Sequence, residues 1–264
     1  MRDDRTDNLA NRYNREAHAY RDLWAPVLRI AGLALLRELA GVRVQRVVDV
    51  GTGVGGLLPD LRSAFPGAVV LGVDRAPGML RLAPGEFPRA VMDARRLAIR
   101  SGSVDLVLFA FMLFHLDDPG DALREARRLL RPGGRVATLT WGGELESRAT
   151  RIWSECLDAH GAAEADPATA ARHDFVDTPR KVEALLRASG FNATRSWEDD
   201  LVSSLDVEHL LRLRTSMGSW KPRFDGLDPL AQEACLAGAR RGMERLARED
   251  FVARGRIVCA VAGV

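Results

Sequence analysis

The sequence predicts a doubly wound α/β fold: a seven-stranded sheet with an N-terminal helical cap and a helical lid insertion. Three observations predict it. Short β-branched runs alternate with helical segments from Arg46 to Thr140, a glycine turn follows the first run, and a last apolar run spans Arg256 to Ala262.

Residues 1 to about 40 read as helical, with Pro26 in a first-turn position and Val27, Ile30, Leu33, Ala34 and Leu36 at roughly helical spacing. Strands are expected near 46–50, 69–73, 90–92, 104–109 and 134–140. Before the last of these, Asp118 caps a helix and Pro119 suits its first turn. Ala122, Leu123, Ala126, Leu129 and Leu130 line one face of that helix, and Arg131-Pro132-Gly133-Gly134 stops it. After Trp141 come longer helical stretches, 147–160, 179–188, 206–217 and 229–247, which read as insertions. Strands near 193–202 and 256–262 complete the sheet. Residues 1–45 are thus expected to form the cap, 46–141 the α/β core, and 142–264 the insertion with the sheet-closing strands, all in one integrated domain.

Composition excludes several classes. The net charge is +2, from 38 basic and 36 acidic residues, which gives no clustered basic face for nucleic acid. The basic residues are nearly all Arg, with Lys only at Lys181 and Lys221, a bias that carries no mechanism. Cys156, Cys235 and Cys259 lie far apart without metal-ligand spacing, so neither a disulfide framework nor a metal site is expected, and a reducing cytoplasm fits. The apolar stretch from Val27 to Leu36 contains Arg29 and is too short to span a bilayer, so no membrane association and no signal peptide are expected.

The chemistry concentrates at the glycine turn. Gly51, Gly53 and Gly56 satisfy the dinucleotide fingerprint, and Asp74 falls at the distance of a ribose-binding acid. A pyrophosphate at this turn would be held by backbone N–H groups, and Asp49 just before it would repel that anion. S-adenosylmethionine has no phosphate and carries an ammonium and a sulfonium, so the same acid is favourable. Asp74 can accept from both ribose hydroxyls, and Asp93, ending the third strand, from an adenine amino group. The plainer alternative is that Asp49 caps a turn and Asp93 begins a loop. Open α/β sheets bind ligands where these acids fall, at the C-terminal ends of strands.

On these residues the chain resembles the class I S-adenosylmethionine-dependent methyltransferases, specifically the small-molecule group that includes the ubiquinone/menaquinone-type enzymes. The resemblance covers 47–141. The family's acid-and-glycine run stands at Asp49, Gly51, Gly53 and Gly55, its ribose acid at Asp74 followed by Arg75, its apolar adenine neighbour at Met79, and its adenine acid at Asp93 with Ala94. The block from Val104 to Leu116 and the run Leu130 to Gly134 are also similar. The resemblance implies S-adenosylmethionine held by Tyr20, Asp49, Gly51, Thr52, Gly53, Asp74, Arg75, Met79, Asp93, Ala94, Phe109 and Ala110. Tyr20 enters because Tyr13 and Tyr20 match an aromatic pair whose second member covers the methionine end; helix-face packing is the alternative. There are departures: a family His-His pair is Phe114-His115 here, and a proline after the adenine acid is replaced in Leu97-Ala98. Beyond 142 the resemblance is general only.

Methyl transfer from a sulfonium needs alignment and exclusion of water, and needs a base only when the nucleophile must lose a proton. His115, just past the fourth strand, is the candidate base; the alternative is that it hydrogen-bonds backbone to shape its loop. His173 with Asp174, in the insertion, is a weaker candidate pair for the same role, with surface loop as the alternative. Trp141, Phe175 and Trp220 are candidate substrate-binding aromatics or, equally, ordinary core. The runs Arg124 to Arg128 and Arg240 to Arg245 read as solvated helix faces. The expectation is a cytoplasmic methyltransferase, monomer or homodimer, acting on a small molecule, with O-, N- and C-methylation all open. Its rivals are an enzyme of this fold that binds the cofactor without transferring methyl, and a non-catalytic partner subunit.

Overall fold

The computed structural model describes residues 4–164 and 173–264. The strands β1 (Arg46–Val50), β2 (Val69–Asp74), β3 (Arg89–Val91), β4 (Val104–Ala110), β5 (Leu130–Trp141), β6 (Asn192–Ser204) and β7 (Val252–Gly263) form one sheet in the order β3-β2-β1-β4-β5-β7-β6. The pairs β1–β2, β1–β4, β2–β3 and β4–β5 are parallel, and β7 runs antiparallel to β5. The seven-stranded α/β sheet expected from the sequence is therefore present. Strand order reverses between β1 and β4, which opens a crevice beyond their C-terminal ends. Val47, Val48 and Val50 are buried on β1, as are Leu106, Val107, Leu108 and Phe109 on β4, so the sheet centre is covered on both faces.

Chain contacts divide the protein into two units: Met1–Gly142 with Arg172–Asp199 and Ile257–Val264, and Gly143–Ala171 with Asp200–Arg256. The first unit begins with α1 (Asp4–Ala19), a π-helical turn (Tyr20–Trp24) and α2 (Ala25–Glu38). The amide of Ala25 bonds to Tyr20 O, five residues back, which is what defines the π turn. The buried stripe of α2 is Val27, Leu28, Ala31, Leu35 and Leu36. The sequence spacing put Ile30 on that face, but Ile30 is 50% exposed. Apolar residues lie all around this helix, so spacing alone left the direction of its stripe undetermined.

Short helices α3 (Leu58–Ala64) and α4 (Pro77–Leu80) follow β1 and β2, and a 3-10 turn (Leu113–His115) follows β4. α5 (Pro119–Leu129) begins as expected: Asp118 accepts from the amide of Gly120 at 2.8 Å, and Ala122, Leu123, Ala126 and Leu129 are fully buried. It ends one residue early. Leu130 pairs with Val104 and opens β5, with a register shift before Arg135 joins Leu106. A further helix, α6 (Arg148–Ala159), belongs to the second unit, and α7 (Pro179–Ala188), capped by Thr178, returns to the first.

The second unit also contains α8 (Val207–Ser216), α9 (Lys221–Asp225) and α10 (Pro229–Met243). Ser147 and Thr150 form a reciprocal capping box at the start of α6. Trp153 on that helix is fully buried, packed with Leu210, Leu211, Phe224, Cys235, Ala239 and Met243. This unit therefore has a core of its own.

Candidate active site

The site begins where β1 leaves the sheet. Asp49 is 2% exposed and accepts a hydrogen bond from Thr52 Oγ1 at 2.6 Å. The amides of Gly51 and Thr52 both donate to Val73 O on β2, at 2.8 and 3.0 Å, which folds the turn back onto the next strand. Gly51 has φ 76°, and a Cβ there would lie 2.4 Å from Met112 Cγ, so both backbone shape and space require glycine. Gly53 has φ 57°, and its amide donates to Asp74 Oδ2 at 2.8 Å. The other oxygen of Asp74 accepts from the amide of Ala76 at 2.8 Å. One carboxylate thus ties the glycine turn to the start of α4.

Burial pushes Asp49 up to about 6, against the opposing Thr52 hydrogen bond and with a smaller contribution from the charge of Asp74. Asp74 is raised too, by burial, while backbone donors pull the other way. Asp93 is the opposite case. Arg95 holds it below the usual carboxylate range, helped by Arg75. Its oxygens receive Arg95 N, Nε and Nη2 and Arg75 Nη1, at 2.6 to 3.2 Å. A carboxylate has about four acceptor positions, so a further donor reaches Asp93 by displacing one of these, and Arg75 is the one that comes from another segment.

A cavity of about 770 Å³ opens on these groups. Of the residues singled out from the sequence, Tyr20, Gly51, Gly53, Asp74, Arg75, Met79, Asp93, Ala94, Ala110 and His115 line it. Asp49 and Thr52 line a second space of about 420 Å³, which shares Tyr20, Gly51, Ala110 and Phe111 with the first. Phe109 is fully buried and lines neither. The candidate substrate aromatics do not gather here. Trp141 stacks on Trp24 at 5.9 Å and meets Phe111 at 4.6 Å, Phe175 is 51% exposed, and Trp220 belongs to the second unit.

The N-terminal helix supplies groups at the same wall. Tyr13 Oη and His115 Nε2 share a hydrogen bond of 2.9 Å, and both side chains line the larger cavity. Burial raises the Tyr13 phenol, which therefore keeps its proton at neutral pH. Asn14 Oδ1 accepts from the amide of Gly78 at 2.6 Å, fastening α1 to α4. His173 stacks on Phe114, beside His115. Two lining residues lie in the block Val104 to Leu116 but were not singled out in it. Phe111 has φ 54°, a left-handed conformation that a bulky side chain adopts at a cost, and Met112 fills the space that glycine leaves at position 51.

The residues present fit S-adenosylmethionine: a buried acid, Asp49, and a half-buried one, Asp74, a glycine cradle that a Cβ would fill, and apolar walls. A methyltransferase domain model matches residues 48–138. The malonyl-[acyl-carrier protein] O-methyltransferase of Geobacter sulfurreducens is 30% identical over 249 residues, 91% of this chain and 88% of that protein. The ubiquinone/menaquinone biosynthesis C-methyltransferase of Syntrophotalea carbinolica is 34% identical over 114 residues, 40% of this chain and 48% of that one. Two further malonyl-[acyl-carrier protein] O-methyltransferases, at 36% and 34% identity, are matched over 61% and 49% of their length. Among solved structures, phosphoethanolamine N-methyltransferase 2 of Haemonchus contortus, in complex with S-adenosylhomocysteine, superposes with a TM-score of 0.51 at 21% identity, over 89% of this chain and 52% of that one.

The chain belongs to the S-adenosylmethionine-dependent methyltransferases, and S-adenosylmethionine is its cofactor. The relatives it matches are named as an O-methyltransferase of malonyl-[acyl-carrier protein] and a C-methyltransferase of ubiquinone/menaquinone biosynthesis.

Proposed function

We propose that this methyltransferase acts on a small organic acceptor whose nucleophilic atom loses a proton during transfer, and that Tyr13 and His115 receive that proton. The carrying observation is their 2.9 Å hydrogen bond in the wall of the acid-lined cavity. S-adenosylmethionine, when bound, supplies an electrophilic methyl group. The chain's own residues do the rest. Asp49 and Asp74 set the charge of the pocket, Gly51 and Gly53 allow close backbone approach, and Tyr20 and Met79 close its apolar wall. Tyr13 accepts the acceptor's proton at its phenol oxygen as it hands its own proton to His115 Nε2, so the phenol ends neutral and the imidazole charged. Such proton transfer contributes about 10²- to 10⁴-fold.

Relatives named for O-methylation and for C-methylation both match this chain, and the O-methyltransferase of Geobacter matches it nearly end to end, which favours an oxygen acceptor. No helix among the described residues is long and apolar enough to cross a membrane, which is compatible with action in the cytoplasm on a dissolved substrate. The test is product mass and pH profile. Wild type should add one methyl and release S-adenosylhomocysteine, while His115→Ala should lower kcat about 10²-fold and remove the acid limb. A wild-type rate in His115→Ala at every pH removes the proton-transfer role. An unchanged methyl count removes the transferase assignment.

A further inference from the structure

The smaller of the two spaces has a charge pattern of its own. Among its described lining residues only two are charged, Asp49 on β1 and Arg29 on α2. It borders the larger cavity through Tyr20, Gly51, Ala110 and Phe111. Arg29 is held from one side: its Nε and Nη2 donate to the two oxygens of Asp60 on α3, at 2.7 and 2.6 Å. Among the described residues these bonds use two of the five guanidinium N–H groups, and the edge formed by Nη1 and Nη2 remains to meet a second acceptor. The glycine turn has less to offer an anion. The amides of Gly51 and Thr52 are given to Val73 O, that of Gly53 to Asp74 and that of Gly55 to Thr52 O. Such a turn holds an anion through backbone N–H groups that are free, and these four are spent.

We propose that Arg29 binds the α-carboxylate of the cofactor's methionine moiety, with Asp49 in the same space matching its α-ammonium. S-adenosylmethionine ends in a zwitterion, one carboxylate and one ammonium on a single carbon, and the smaller space offers one cation and one anion. The nucleoside then takes the larger cavity, where Asp74 and Asp93 lie. A guanidinium meets a carboxylate best through two parallel bonds, and the Nη1–Nη2 edge that Asp60 leaves open can make both. Asp60 is a positioning residue. It holds a long, half-exposed side chain in one place before the ligand arrives, so less freedom is lost on binding. The cation thus comes from the N-terminal helical arm, outside the strand–turn–strand that carries Asp49 and Asp74.

The test is calorimetry on the full chain with two probes that differ only in the carboxylate: S-adenosylhomocysteine and its decarboxylated analogue. Wild type should bind S-adenosylhomocysteine about tenfold more tightly than the analogue, the worth of a charge-assisted pair. Arg29→Gln should abolish that preference, weakening S-adenosylhomocysteine about tenfold and the analogue by no more than about twofold. Equal affinity of wild type for the two probes overturns the proposal, as does failure of wild type to bind S-adenosylhomocysteine. So does an Arg29→Gln protein that loses both probes equally or neither. If Arg29→Gln does not fold, Arg29→Lys decides, because it keeps the charge but cannot meet two acceptors in parallel. A narrowed preference in Arg29→Lys supports the proposal and an unchanged one overturns it.

Discussion

The two units treat a sheltered charge differently. In the first, Asp49 is buried and Asp74 half-buried at the ends of neighbouring strands, held by a hydroxyl and by backbone amides, and among the described residues no guanidinium pairs with either. In the second, Arg223 is buried and its Nη2 donates to the Asp158 carboxylate at 2.6 Å. The first arrangement suits a cationic ligand, and the second is matched within the chain. Where a sheltered charge is already matched, as in Arg223 with Asp158, the group serves the fold. What the contrast teaches is that the informative buried charge is the one its own chain leaves uncompensated.

The strongest way to break this contrast is Asp74→Ala. It removes both the acceptor that ties the glycine turn and a negative charge, and should weaken S-adenosylmethionine binding about 100-fold, ~3 kcal/mol, by calorimetry. Unchanged affinity would show that Asp74 only shapes the turn.

Asp49→Asn sharpens it by separating stability from binding. An unfolded Asp loses its proton near 3.9, whereas Asp49 in the fold loses it at about 6. The unfolded state therefore binds fewer protons between those values, so this group's contribution to stability falls as pH rises from about 4 to 6 and stays low above. Asp49→Asn should stabilise the cofactor-free protein at pH 7 by about 2 kcal/mol and raise Tm by several degrees, while weakening cofactor binding. A lower Tm with retained binding would make Asp49 structural.

A smaller effect follows from the same proton. A cationic ligand favours ionised Asp49, so below about pH 6 wild-type affinity should fall, by at most about tenfold per pH unit, and in Asp49→Asn it should lose that slope. The smallest effect is the control. Arg240 pairs with Glu208 on the surface, and Arg240→Gln should leave Tm unchanged within error.

Legibility in the sequence divided along the same line. The strand–turn–strand from Val47 to Asp74 was readable because its chemistry is local: an acid, glycines required by backbone shape, and a second acid one βα unit on. Asp93 was found for the same reason, but its commitment to Arg75 and Arg95 was not, since that depends on where long side chains reach. Arg223 was invisible in a chain with 38 basic residues, nearly all Arg, because burial distinguishes it and composition does not. The left-handed backbone of Phe111 left no mark either: at a bulky residue it is imposed by the surrounding fold.

The π turn at Tyr20–Trp24 amounts to one surplus residue in an otherwise α-helical arm. Deleting one residue there lets the arm heal as continuous α-helix with α1 in nearly its present phase about the axis, because the bulge has already taken up the surplus residue. Tyr13, Asn14 and Ala10 therefore keep facing His115, Gly78 and the cavity. The loss of one codon is tolerated at this turn, whereas the loss of one from the regular α-helical stretch after Asn14 rotates these three side chains together by about 100°.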